Sequence, residues 1–288
     1  MIINVSKLLH VIILSLLNFT YMKTGEVIKY LDKRFLPEYQ ENYDNSGFLV
    51  GDRESKYTGT LVTLDVTPET VDEAIGKGLS LIVSHHPLIF SGIKRITNDN
   101  TTGRMIASLI RNGISVYAAH TNLDNLDWGV NGILAEKLGL TDCHILRPIE
   151  SADSQLNIGA GMTGHLPHPM PVIDFLELVK RRLHLPFVRT SQLSILNSQL
   201  SIQKVAICGG SGSFLINDAK KVHADIYLTG DLKYHDFQQT ENKIILADIG
   251  HYESEQFAKE LICRIISENF SNFACQISEK SESYIKYI

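Results

Sequence analysis

Between Gly25 and Phe35 the apolar residues Val27, Ile28, Leu31 and Phe35 recur at helical spacing, which predicts an amphipathic helix. A polar turn follows, with Asp44, Asn45, Ser46 and Gly47 clustered inside ENYDNSGFLVGD. From there short apolar runs alternate with helical patterns. TLVTLDV reads as a buried strand. Thr67 then suits an N-cap, Pro68 the first helical position and Glu69 the positive helix end. Val71, Ala74 and Ile75 give that helix its apolar face, and Gly78 fits its end. LSLIVS is the next strand and runs directly into His85 and His86. GRMIASLIRNG reads as a helix with Met105, Ile106, Leu109 and Ile110 inward. ISVYAA is a strand that delivers His120 and then Asp124, and GVNGILAEKLGL is another helix.

Past Leu140 the periodicity weakens. A helix after Pro171 packs through Phe175, Leu176 and Val179, while His165 and His168 in GHLPHP fall in a proline-rich loop and receive no function. VAIC is a strand, GGSGS a Gly-rich turn, FLINDAKKVHA a helix, DIYLTG and KIILADI strands, and 254–269 a helix. Strand, helix, strand with a His-bearing loop, then a strand ending in His and acid: this order occurs twice. The fold class expected is therefore α/β with mixed sheets, read as two related lobes, with a chance echo of common strand-helix alternation as the alternative. Residues 22–142 with 250–288 form the first lobe and 143–249 the second. Ligands in open α/β sheets bind beyond the carboxyl ends of strands, which places a site between the lobes.

The chain has 288 residues, enough for these two lobes. A net charge of −5 and the lack of a long basic run argue against a nucleic-acid partner. Residues 8–17, LLHVIILSLL, are apolar but short for a membrane span. The amphipathic pattern opens only at Met22, so residues 1–21 read as an extension outside the fold, with a membrane anchor the weaker alternative. Cys143, Cys208, Cys263 and Cys275 form no CxxC pair and no zinc-finger spacing, which fits reduced thiols and a cytoplasmic protein.

The candidate chemistry lies at strand ends. His251 and Glu255 are four apart at a helix start and share a face. His85 and His86 stand at a strand end, where adjacent rings can serve two metals side by side, and Pro87 fixes the turn. Asp124 adds a carboxylate able to bridge two cations. Isolated, each of these pairs reads as an ordinary surface or core feature; together they need a common explanation. His120 and His235 are candidates either for acid/base groups or for residues that support the metal ligands from behind. The CGGSGS stretch, residues 208–213, suits either an anion site or a plain turn, and it lacks the P-loop lysine.

DNSGFLVGD, LDVTPETVDEAI, SHHPLIF, AAHTNLD, VAICGGSG, LTGDLKYHD and DIGHYESE occur in that order from about Asp44 to Glu255. In these stretches the chain resembles the dinuclear-metal proteins called GTP cyclohydrolase 1 type 2 homologues, the Nif-three-like family. The resemblance implies that His85, His86, Asp124, His251 and Glu255 ligate two divalent metals. It also implies two intertwined α/β lobes and a ring-shaped homohexamer. Residues 1–21 have no counterpart in the family pattern, and the stretch from Cys143 to Ile202 is too short for the extra domain of longer members. The expected function is a dinuclear metal-dependent hydrolase acting on a small nucleotide or pterin-like substrate, of GTP cyclohydrolase type. The alternative is a non-enzymatic metal-binding or metal-sensing protein acting through partners. Nitrogen and oxygen ligands suit zinc, manganese, iron, cobalt or nickel.

Overall fold

The computed structural model of the protein describes residues 21–150, 155–191, 200–241, 243–286 and 288. The extension expected at residues 1–21 lies, up to residue 20, outside the described residues. The first helix among the described residues, α1 (Thr24–Phe35), buries Val27, Ile28, Leu31 and Phe35 as its spacing predicts. Strands β1 (Gly47–Val50), β2 (Gly59–Thr63), β3 (Leu81–Ser84) and β4 (Ser115–Ala118) follow. Helices α2 (Pro68–Lys77) and α3 (Thr101–Arg111) connect the last three of these. The Thr67 side chain accepts the Thr70 N–H, and Gly78 closes α2 at φ +64°. In α3 Met105, Ile106 and Leu109 are buried, but Ile110 points outward with 59% of its surface exposed, against expectation.

The middle of the chain holds what the sequence pattern left unassigned. After α4 (Thr121–Asp124) and α5 (Val130–Leu138), a long antiparallel pair forms from β5 (Thr141–Pro148) and β6 (Gly159–Pro171). His165 and His168 lie on this strand rather than in a loop. The β6 register against its next neighbour jumps from His165↔Lys204 to Met170↔Ile202. Residues 166–169 bulge between those pairs, so Pro167 and Pro169 can occupy a strand without removing a regular ladder bond. Then come α6 (Val172–Leu183), β7 (Arg189–Thr190), β8 (Ser201–Ser211), α7 (Ile216–Lys221), β9 (Ile226–Gly230) and β10 (Ile245–Asp248). Helices α8 (His251–Glu255) and α9 (Ala258–Asn269) lead to β11 (Ala274–Ile277).

Among the described residues these strands form two mixed sheets. The first has the order β1-β4-β3-β2-β11, and the second β5-β6-β8-β9-β10-β7. The first contains a run of four parallel strands, β4-β3-β2-β11, and the second a parallel triplet, β8-β9-β10. Strands β2, β3, β9 and β10 are buried along their whole length, which is why they read as unbroken apolar runs. One continuous core joins Val62 and Leu81 of the first sheet to Val205 and Leu228 of the second. Among the described residues, no helix is long and apolar enough to cross a membrane.

Candidate metal centre

His85 and His86 leave the end of β3 while still tied to β2. Their N–H groups donate to the carbonyls of Thr63 (3.1 Å) and Leu64 (2.9 Å). Both rings turn toward Glu255. His85 Nε2 lies 3.6 Å from Glu255 Oε1, and His86 Nε2 lies 3.0 Å from Oε2. His251 starts α8 just beyond β10, and the four-residue spacing brings its Nε2 to 3.1 Å from the same Oε2. It is also 3.3 Å from His86 Nε2. Asp124 ends α4 past β4, with Oδ1 3.6 Å from His85 Nε2. Strand ends of both sheets thus converge on one carboxylate.

Each imidazole is held from behind by an acceptor. His85 Nδ1 meets the Ala119 carbonyl at 2.7 Å, His86 Nδ1 meets Asp65 at 2.9 Å and His251 Nδ1 meets Asp231 at 2.7 Å. A carbonyl or carboxylate only accepts, so Nδ1 carries the proton there and Nε2 can present a lone pair inward. This arrangement orients metal-binding histidines. His85 Nε2 and Asp124 Oδ1 are buried without a hydrogen-bond partner. Two facing acceptors with no donor between them are costly unless a cation joins them. Ligand atoms of His85, His86 and Glu255 lie within 4.8 Å of one another, and this group can hold a metal ion.

The electrostatics agree. Burial opposes the charge on Glu255, but His85, His251 and His86 hold its carboxyl well below the usual range. Burial, with the Glu255 carboxylate beside it, pushes Asp124 up to about 7. Against burial, Asp65 and Glu255 raise His86 to about 10, and Glu255 and Asp231 raise His251 to about 9. Protons and metal compete for the same lone pairs.

The CGGSGS stretch is not a plain turn. Strand β8 continues to Ser211, and its register against β9 jumps between Ile207 and Ser211. Gly210 sits in that irregularity at φ +64°, and a Cβ there would stand 2.1 Å from Glu255 Oε1. The glycine leaves room for the central carboxylate. Gly210→Ala should therefore keep its secondary structure by circular dichroism but bind substantially less metal per chain. Wild-type metal content in that variant would show that the close approach is unimportant.

His120 borders the cluster, its ring centroid 5.4 Å from that of His85 and 5.5 Å from that of His86. Its Nδ1 donates to Asp44 at 2.7 Å, leaving Nε2 free to accept. The Asp44 side chain is fully buried and also accepts from Ser46 Oγ (2.8 Å), Thr121 N–H (3.1 Å) and Thr121 Oγ1 (2.5 Å). Burial alone would raise its pKa, but these donors hold it well below the usual carboxylate range. Its stabilisation is present above the unfolded pKa of about 3.9 and fades as pH falls below that. Asp44→Asn should cost on the order of 3 kcal/mol at pH 7, with the difference narrowing below about pH 4. Urea unfolding of the metal-free chains across that range checks it, and a pH-independent difference would refute the ionic account.

His235 is exposed, set against Gln238 at 3.4 Å and edge-on to Tyr234. It does not line the cavity of about 220 Å³ that opens beside the cluster. Tyr43, His120, Asp124, Phe214, His251 and Glu255 do. Asp44, Asp65 and Asp231 are supporting residues that the sequence reading missed. The available signal was an acid at a strand end or turn within DNSG, LDV and TGD, each close in sequence to a strand that delivers or supports a histidine.

A sequence profile described as Duf34/NIF3 (NGG1p interacting factor 3) matches residues 22–283. A Clostridium perfringens protein named GTP cyclohydrolase 1 type 2 homolog is 38% identical over 239 residues, covering 81% of this chain and 87% of that one. Among solved structures, Staphylococcus aureus hypothetical protein SA1388 superposes with a TM-score of 0.83 at 30% identity, covering 93% of this chain and all of its own. Reduced HcgD from Methanocaldococcus jannaschii superposes at 0.74 with 25% identity, covering 90% of this chain and 98% of its own.

Proposed function

This chain belongs to the Duf34/NIF3 family, and we propose that it is a hydrolase that holds two divalent cations side by side. Its substrate on this reading is a small nucleotide or pterin-like compound. The observation that carries the proposal is the placement of Glu255. One carboxylate oxygen faces His85, with Asp124 beside that ring, and the other faces His86 and His251. A carboxylate so placed suits a bridge between two positions. His85 and Asp124 would complete one, and His86 and His251 the other. The donors are nitrogen and oxygen, suited to zinc, manganese, iron, cobalt or nickel. Cys208 also lines the cavity, where burial pushes its thiol up to about 12 and Sγ donates to the Gly209 carbonyl at 3.4 Å.

When bound, paired cations supply Lewis acidity and activate water near neutral pH. The chain's own residues would do the rest. Asp65 and Asp231 fix the ring orientations. His120, positioned by Asp44, has a free Nε2 on the cavity wall and suits proton transfer, whereas His235 stands outside that wall. Tyr43 and Phe214 are 64% and 50% exposed on the same cavity, offering flat apolar faces to a planar ring. The name of the Clostridium perfringens relative points to the same substrate class. A ring-shaped homohexamer belongs to the proposal and is read from the particle mass in solution.

The deciding experiment is metal analysis of purified protein followed by a screen of the fully loaded form against GTP, other nucleotides, pterin precursors and phosphoesters. Two ions per chain with turnover above a metal-only control is the expected result. Two ions with no turnover on any substrate would favour the metal-binding or metal-sensing alternative.

A further inference from the structure

Away from the metal centre, two cysteines that are 12 positions apart in sequence meet in space. Cys263 lies on α9 and Cys275 on β11, the edge strand of the first sheet. Cys263 Sγ donates to the Cys275 carbonyl oxygen at 3.5 Å, which brings the two residues together across the α9–β11 contact. Both are free and half-buried. The other two cysteines lie on the second sheet, Cys143 on β5 and Cys208 on β8.

We propose that Cys263 and Cys275 are a redox-modification site, closing to a disulfide with a peroxide and reopening with a thiol reductant. The closure would pin α9 to the edge strand. Only Gln256 and Phe257 separate α9 from α8, the helix that carries His251 and Glu255. The inference does not depend on the hydrolase reading.

The chemistry balances. The Cys263 thiolate attacks one peroxide oxygen, the O–O bond breaks and the departing hydroxide takes a proton to leave as water. The resulting sulfenic acid is attacked by the Cys275 sulfur, which gives up its proton as the S–O bond breaks and a second water leaves. Two thiols lose two electrons and one peroxide gains them. The order of attack follows from the environment. Its contact with Cys275, helped by Ser267, lowers Cys263 below the usual thiol value against the opposing effect of burial. The contact with Cys263, together with burial, raises Cys275. The thiolate is the nucleophile, so Cys263 reacts first and Cys275 resolves.

The test uses the full chain loaded with zinc, which does not itself consume peroxide. About a tenfold excess of hydrogen peroxide is added, thiols are counted after denaturation, and peptides are mapped without reduction. The expected result is a fall from four thiols to two, a Cys263–Cys275 cross-linked peptide, and recovery of four with dithiothreitol. Cys275→Ser should leave Cys263 as a sulfenic acid that dimedone traps, and Cys263→Ser should yield no disulfide. Four surviving thiols, a bond between any other pair, or Cys263 unlabelled by dimedone in Cys275→Ser would each overturn the proposal.

Discussion

Glu255→Ala should leave the protein with almost no bound metal, a loss larger than removal of any single histidine would cause. In the folded chain its Oε1 faces His85 and its Oε2 faces His86 and His251. One substitution therefore withdraws an oxygen from both sides of the cluster at once. It also removes the anion that the surrounding imidazoles share, leaving Asp124 as the remaining carboxylate of the predicted ligand set. His86 keeps Asp65 and His251 keeps Asp231 after the change, so neither imidazole is left without an anionic partner and the chain should stay folded. His251→Ala makes the comparison. It withdraws one donor from the Oε2 side alone, so about one ion per chain should survive. Metal content by elemental analysis, with circular dichroism as the control for folding, reads both variants. A folded Glu255→Ala chain that still carries two ions would remove Glu255 from the centre.

Much of this geometry could be read before the fold was in hand, and the reasons differ by region. The parallel strands were legible because burial on both faces produces unbroken apolar runs such as LSLIVS and DIYLTG. The α2 boundaries were legible because Thr67, Pro68 and Gly78 each carry a local conformational preference. The β5–β6 pair was not. Strand β6 holds Pro167, Pro169 and Pro171, and its bulge breaks the two-residue alternation that identifies a strand. Strand β11 was missed as well, because only one of its four residues is even half-buried, leaving little hydrophobic signal.

At the site the difference is between inner and outer residues. Histidines at strand ends are conspicuous as candidate ligands. Their partners Asp44, Asp65 and Asp231 look like ordinary turn acids, and only the fold places them against Nδ1. The role of Gly210 is hidden for the same reason. A glycine-rich stretch announces freedom of backbone, and what that freedom accommodates, here the Glu255 carboxylate, comes from 45 residues further along the chain. The Cys263–Cys275 contact likewise depends on α9 folding back beside β11.

His120→Ala and His86→Ala should separate two ways of losing activity. His86 presents Nε2 to Glu255 at 3.0 Å and is braced by Asp65, so its removal takes a ligand from one metal position. Metal content should fall toward one ion per chain and turnover to the metal-only background. His120 lies at the edge of the cluster, lines the cavity and is held through Nδ1 by Asp44. Its free Nε2 suits proton transfer, and no metal-binding atom of the cluster depends on it. His120→Ala should therefore keep both ions while kcat drops by roughly 10² to 10⁴. Asp44→Asn should reproduce part of that drop, because the amide can donate where the carboxylate only accepts and the ring loses its fixed tautomer. Metal content and kcat are measured on the same preparations of all three variants. Loss of metal in His120→Ala would make it a ligand, and unchanged kcat with both ions in place would leave the proton-transfer role without support.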